Sequence, residues 1–276
     1  MRPSFGRVNR FGAMAIAWST DKLCPMGRTA DDIGLILSVI AGHDPRDFDS
    51  LPSTLSDFSW MGTAKEPARP LRIGRLTNVW NSTEPGLDAA VDAALKVMES
   101  NGAKVTDVAL PDGPYEEACE LTIMMEASAS FRDVIESGRC ADLIDPVGKI
   151  SGYASSEFSA TDYLAVQRVR TFLQQQVDRV FDDFDVLAAA GQSSGASPLS
   201  GPPEEDSEGP LERRAPDGVS SLCGLPAITV PCGFSKAKLP FGVQFLGRAL
   251  GDHTVISAAH QFETKTDWHK QRPPIG

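Results

Sequence analysis

Residues 71–110 carry the pattern that most narrows the fold. LRIGRL (71–76) is a short apolar run with the length of a strand. Leu87, Val91, Leu95 and Met98 then recur at steps of three and four, the spacing of one helix face, and Asn101-Gly102 marks an exit. AKVTDVAL (103–110) alternates as a strand does. Strand, helix and strand in so short a stretch make a crossover, and a crossover joins strands that run the same way. A parallel or mixed sheet with helices packed on it, an α/β fold, is the expectation.

The same reading extends along the chain. Thr29 precedes an apolar series at Ile33, Ile36, Leu37 and Ile40, with Asp31 and Asp32 suited to the positive end of a helix. This predicts a helix over about 29–41, with Gly42 at its exit. Residues 43–70, rich in Pro, Gly, Ser and Asp, predict a mobile surface crossing. Helices are expected over 114–137, with Leu121, Met124 and Met125 on one side, and over 161–183, with Leu164, Val169, Leu173, Val177 and Phe181 as the apolar face. DVLAAA (185–190) predicts a strand and 191–218 a long mobile loop. AITVPC (227–232) and FGVQFLG (241–247) predict two strands, and 252–265 a closing helix. No repeat is visible, and 276 residues are long enough for one large domain or two small ones.

Composition excludes some partners. The net charge of −11 argues against nucleic acid, because a phosphate backbone selects a basic footprint. No apolar run reaches the roughly 18 residues of a membrane-spanning helix, and no apolar core follows the arginines near the start as a secretory leader requires. Cys24, Cys119, Cys140, Cys223 and Cys232 are odd in number and widely spaced. That pattern fits reduced thiols in a cytoplasmic protein.

A more specific signal lies in blocks of sequence. RPSFGRVNRFG (2–12) and WSTDKLCPMGRTADD (18–32) come first, then DYLAVQRVRTFLQQQVDRVFDDFDVL (162–187). LCGLPAITVPCGF (222–234), LPFGVQFLGRALGD (239–252), AAHQFE and TDWHKQRPP follow. In that order and spacing they resemble the later part of the amidase signature family. The resemblance implies one α/β/α domain around a twisted mixed sheet flanked by helices. It also implies amide hydrolysis by a serine nucleophile, a second serine held by a cis peptide, and a lysine. A hydroxyl needs an adjacent base to attack. A lysine must be neutral to serve as that base, which burial can arrange. In the family the nucleophile loop comes just before the equivalent of Arg2, and the lysine lies further upstream. The expectation is therefore the C-terminal portion of an amide (C–N) hydrolase, truncated at the N-terminus, with no catalytic residue of its own and inactive alone. It would take a small-molecule amide only when completed by the missing N-terminal part. A late gene start, a truncated gene and a separate chain for the front half all stay open.

Two other readings stay open beside it: a non-catalytic assembly or binding protein that pairs with a separate N-terminal half, and a relative of the glutamyl-tRNA amidotransferase A subunit, which belongs to the same family. The A subunit's glutamine pocket uses a basic residue ahead of the long helix, where this chain offers only Lys149, so a general amidase is preferred. Cys24-Pro25 in place of Gly-Pro, Ala188 to Ala190 in place of a Pro-Thr-like pair, and Ser221 in place of a frequent Asn leave the amide unspecified. Serine–lysine chemistry implies no cofactor and no metal. Removing part of a sheet-centred domain uncovers apolar surface, which predicts self-association.

Ser19 and Asp21, beside Trp18, lie in the block nearest the family's catalytic loop in chain order. They are the candidates for groups that support a site through hydrogen bonds, the competing reading being that they satisfy turn amides. GQSSGAS (191–197) looks like a nucleophile loop but lies after the long helix and strand, and reads as a loop. His253 and His260 share a helix face without a third ligand at metal spacing, and read as packing residues. Glu204, Glu205 and Asp206 read as a solvated loop.

Overall fold

The computed structural model describes residues 1–61, 69–79, 84–146, 148–155, 157–196 and 216–273. Its spine is a five-stranded mixed sheet of β1 (Arg72–Leu76), β2 (Lys104–Val108), β3 (Val186–Ala190), β4 (Ala227–Phe234) and β5 (Pro240–Gly247), in the order β2-β1-β3-β5-β4. β1 runs parallel to β2 and β3, whereas β5 runs antiparallel to β3 and β4. α3 (Leu87–Ser100) carries the chain from β1 to β2 and buries the predicted Leu87, Val91, Leu95 and Met98. The crossover in the sequence is thus the crossover in the fold.

Successive strand residues face opposite sides of a sheet, and here they divide the interior into two cores. Val186 and Ala188 of β3 enter one core, Leu187 and Ala189 the other. The first is covered by α1 (Ala30–Ile40), α3 and α9 (Asp252–Glu263). The second is covered by α4 (Tyr115–Ser130), α7 (Ala160–Val180) and α8 (Pro216–Leu222). The result is the expected helix–sheet–helix sandwich.

Local chemistry sets the helix starts. Thr29 Oγ1 accepts from the Asp32 N–H at 3.0 Å while Asp32 Oδ2 accepts from the Thr29 N–H at 3.0 Å, a reciprocal cap that starts α1 one residue after the predicted position. Ser159 and Asp162 repeat the arrangement at α7.

A buried charge fastens the first residues to the last helix. Asp252 accepts from the Ser4 N–H at 2.8 Å, the Ser4 hydroxyl at 2.7 Å and Arg7 Nε at 3.1 Å. The Arg7 guanidinium also reaches the carbonyls of Leu55 and Leu250. Removing one member of such a buried pair typically costs about 3–5 kcal/mol, because the other charge is left unpaired.

Several expectations are corrected. α4 does not bury a Leu121–Met124–Met125 face. It is rotated so that Tyr115, Ala118, Cys119, Thr122, Met125 and Glu126 point inward, leaving Leu121 and Met124 partly exposed. It ends at Phe131, and α5 (Arg132–Glu136) completes the predicted 114–137 span. In α7, Leu164 and Val169 are exposed, and the inward face is Arg170, Leu173 and Val177, continued by Phe181. An apolar count passes over an arginine, so it tilted the predicted stripe. The crossing after α1 contains a helical turn, α2 (Ser53–Ser56), and its Trp60 is fully buried. Gly34 makes room for that indole: a Cβ there would lie 2.3 Å from the ring. α6 (Gly148–Ser155) had no counterpart in the sequence reading. α8 takes the end of the expected 191–218 loop, while residues 197–215, with Glu204, Glu205 and Asp206, lie outside the described residues, as do 62–68 of the first crossing.

Glu263 of α9 accepts from the Ala30 N–H, the first of α1, at 2.8 Å. Burial, aided by the like charges of Asp31 and Asp32 and opposed by that hydrogen bond, pushes its carboxyl up to about 7. The folded state therefore holds the proton more tightly than the unfolded chain. That contribution is present below the unfolded value near 4.5 and is lost as pH rises through about 7. Glu263→Gln keeps the acceptor without the charge. Discounted for partial exposure, it is expected to raise Tm by about 2–4 °C at pH 8 and to leave it unchanged at pH 4 in scanning calorimetry. Equal shifts at both pH values would contradict this account of Glu263.

Candidate functional site

The loop before α1 places Ser19 and Asp21 close together but gives them different tasks. Asp21 Oδ2 accepts from the N–H groups of Ile16 at 2.8 Å and Ala17 at 3.1 Å, and so closes its own turn. Ser19 is held by distant parts of the chain. Its N–H donates to Glu126 Oε2 at 2.9 Å. Its hydroxyl and its carbonyl accept from Arg170 Nη1 and Nη2, both at 2.7 Å. Arg170 Nε reaches the Leu222 carbonyl at 2.8 Å, and the Tyr163 hydroxyl donates to Glu126 Oε1 at 2.7 Å. One guanidinium and one carboxylate, 8% and 1% exposed, thus bracket a single loop residue. The planar fork of arginine suits three convergent acceptors in a way that lysine does not.

Beside this network, sharing Glu126 and Tyr163 with it, opens a cleft of about 690 Å³, within the range of small-molecule sites. Trp18, Tyr153, Phe158 and Tyr163 give it aromatic walls, Glu126 reaches its floor, and Arg132 and Glu136 stand at the rim. Burial, together with the hydrogen bond to Glu126, pushes the Tyr163 hydroxyl up to about 12, so it remains a donor at any working pH.

The groups with nucleophilic potential are quiet. Burial lowers Lys22 to about 8, but its Nζ donates to the carbonyls of Leu225 at 2.7 Å and Ser220 at 3.2 Å. Burial pushes the Cys223 and Cys232 thiols up to about 12 and the Cys119 thiol in the same direction, which disfavours the reactive thiolate. His253 and His260 pack on Trp60, with ring centroids 4.9 and 6.2 Å away, and His260 Nδ1 lies 3.4 Å from Asp31 Oδ1. No group of three or more His, Cys, Asp or Glu side chains is placed to hold a metal among the described residues, and no described helix is long and apolar enough to cross a membrane.

The structure thus places Ser19 between Glu126 and Arg170, whereas Asp21 closes its own turn. Sequence reasoning missed Glu126, Tyr163 and Arg170. A signal existed: Arg170 lies three residues before Leu173 and seven before Val177, on the buried stripe of a helix. A charge at such a position is a group with a partner.

The comparisons with known proteins agree with this architecture. A bacterial aryl acylamidase of the amidase signature family superposes with a TM-score of 0.78 at 24% identity, over 98% of this chain and 58% of that one. The A subunit of glutamyl-tRNA(Gln) amidotransferase from Thermotoga maritima does so at 0.69 and 25%, over 95% and 57%. The fold is shared with both. The Amidase family model matches residues 1–256, and the chain belongs to that family. It is similar in sequence to the A subunit of glutamyl-tRNA(Gln) amidotransferase from Chloroflexus aggregans, 33% identical over all of this chain and 60% of the relative. The chain spans about 60% of the length of the curated relatives it matches.

Replacing Arg170 tests the bracket. Arg170→Ala strands three acceptors and is expected to cost about 3–5 kcal/mol in urea unfolding. Arg170→Lys is expected to recover less than half, because a point charge cannot fork. Full recovery by lysine would show that charge alone matters.

Proposed function

We propose that this chain supplies the scaffold and the substrate-side wall of an amide (C–N) hydrolase. The carrying observation is the cleft lined by Trp18, Glu126 and Tyr163, beside the Ser19 bracket, in a chain of the Amidase family. Its aromatic walls suit an aryl or other flat apolar substituent on the amide, and the charges of Arg132 and Glu136 pair with each other at the rim. The activated oxygen and its base come from outside the described residues. The lysine that burial brings nearest to neutrality is committed to two carbonyls, and the thiols with raised pKa remain protonated. In this reading Arg170 and Glu126 position the loop that forms one side of the cleft, and neither touches the reacting bond. The five free thiols fit a reducing compartment such as the cytoplasm.

A second reading rests on the names of the sequence relatives, which are subunits of an amidotransferase. In that reading the chain works within a larger assembly. Both readings place the amide at the same cleft.

The purified chain is expected to bind benzamide in isothermal titration calorimetry, with Trp18→Ala weakening the binding at least five-fold, and to hydrolyse 4-nitroacetanilide no faster than buffer. Absence of binding, or binding indifferent to Trp18, would remove the cleft as the site. Hydrolysis blocked by a serine-directed phosphonate would show a nucleophile within this chain.

A further inference from the structure

Two neighbouring parallel strands, β1 and β3, part at their carboxyl ends. They stay in register as far as Arg75 and Ala188. Beyond that pair, Leu76 follows β2 through Val108, while Ala189 and Ala190 follow β5 through Gln244 and Val243. The chain also leaves the two strands by opposite faces. After β1 it enters α3, which packs on the first core, and after β3 the next described helix is α8, on the second. Parallel strands whose connections diverge in this way leave a crevice outside their carboxyl ends, and open α/β sheets bind ligands there.

A cavity of about 220 Å³ occupies that place. Ala188, Ala189 and Ala190 leave it room, since each side chain ends at Cβ, and Leu76, Val79 and Val91 give it apolar walls. It shares no lining residue with the cleft beside Ser19. Its polar groups are few. Arg75 pairs with Asp92 at 2.8 Å and lies 3.6 Å from Asp107, and the Thr77 hydroxyl donates to the Val108 carbonyl at 3.3 Å. Asp88, in the first turn of α3, forms no hydrogen bond or ion pair among the described residues. One arginine against two aspartates leaves the lining with a negative charge, and the carboxylate without a partner is the one that carries it.

We propose that this crevice is a binding site for a small primary alkylammonium ion, held by Asp88 at its charged end and by Leu76, Val79 and Val91 along its alkyl chain. An ammonium group offers three donors and no acceptor, which suits a carboxylate that has no donor of its own. A carboxylate or phosphate ligand fits less well, because the guanidinium it would need is spent on Asp92 and Asp107. A bare metal ion fits less well too: among the described residues no three His, Cys, Asp or Glu side chains converge to hold one. The inference is independent of the proposed hydrolase, since it uses none of the residues of the cleft.

The test is titration of the full chain with n-butylammonium chloride, followed by amide NMR shifts. Saturable shifts are expected at Val79, Asp88 and Ala190, with n-butanol and butyrate binding more weakly. Asp88→Asn is expected to weaken the binding about three-fold, the worth of an ion pair open to water. Arg75→Gln, which releases Asp92, is expected to strengthen it by about the same factor. Ala190→Leu, which fills the cavity, is expected to abolish the shifts, and Glu99→Gln, at the other end of α3, to leave them unchanged. Asp88 has no partner to lose, so its variant keeps the test decisive where the leucine variant fails to fold. No saturable shift, n-butanol binding as well as the ammonium, or weakening by both Asp88→Asn and Arg75→Gln would each overturn the site. Preference for butyrate, with the two variants acting in the opposite directions, would replace it with an anion site.

Discussion

The guanidinium of Arg170 is the interaction on which the site depends. A buried cation is tolerated only when its donors are met, and here three donors meet the two oxygens of Ser19 and the carbonyl of Leu222. Glu126 answers from the other side through the Ser19 N–H. Neither charge would sit where it does if the loop were elsewhere, and the loop has no strand or helix of its own to hold it. The network therefore joins four separate segments: the loop, α4, α7 and the end of α8. It does so at the place where the second core meets solvent.

A matching fastening works on the opposite face of the sheet. Asp252 gathers Ser4 and Arg7, and through them the carbonyls of Leu55 and Leu250. Between these two buried charges the first 22 residues are tied at both ends without forming a regular element. A segment so held can serve as a wall. The same segment carries exposed apolar side chains, Phe11, Met14 and Ile16, on its free side. The cleft stands beside this segment, and the thiols that burial keeps protonated lie away from its lining.

Much of the fold was legible because it rests on periodicity. The strand–helix–strand pattern at 71–110, the Thr29 cap, the β4–β5 pair and the closing helix all repeat simple spacings, and each appears where expected. The Amidase membership was also legible, since it resides in ordered sequence blocks. The site was less so. Ser19 could be singled out only by its block, and nothing local tells that it would meet Glu126 and Arg170, which lie 107 and 151 residues away. Those two charges were hidden because apolar counting passes over them, and the same omission misdirected the faces of α4 and α7. Trp60 was lost in a stretch rich in turn residues, although a tryptophan there needed a place to hide. Buried polar groups become legible when a charged residue on an apolar stripe is treated as a question about its partner.

The amide proton of Ser19 reports most directly on the bracket. It belongs to a loop residue, and without Glu126 it would exchange with solvent as freely as any turn amide. Hydrogen-exchange measurement on the intact chain should find it protected at least a hundred-fold over an unstructured peptide, with the protection lost in Arg170→Ala and in Glu126→Ala. Exchange at the unstructured rate in the unaltered chain would contradict the claim that two buried charges hold this loop as the wall of the cleft.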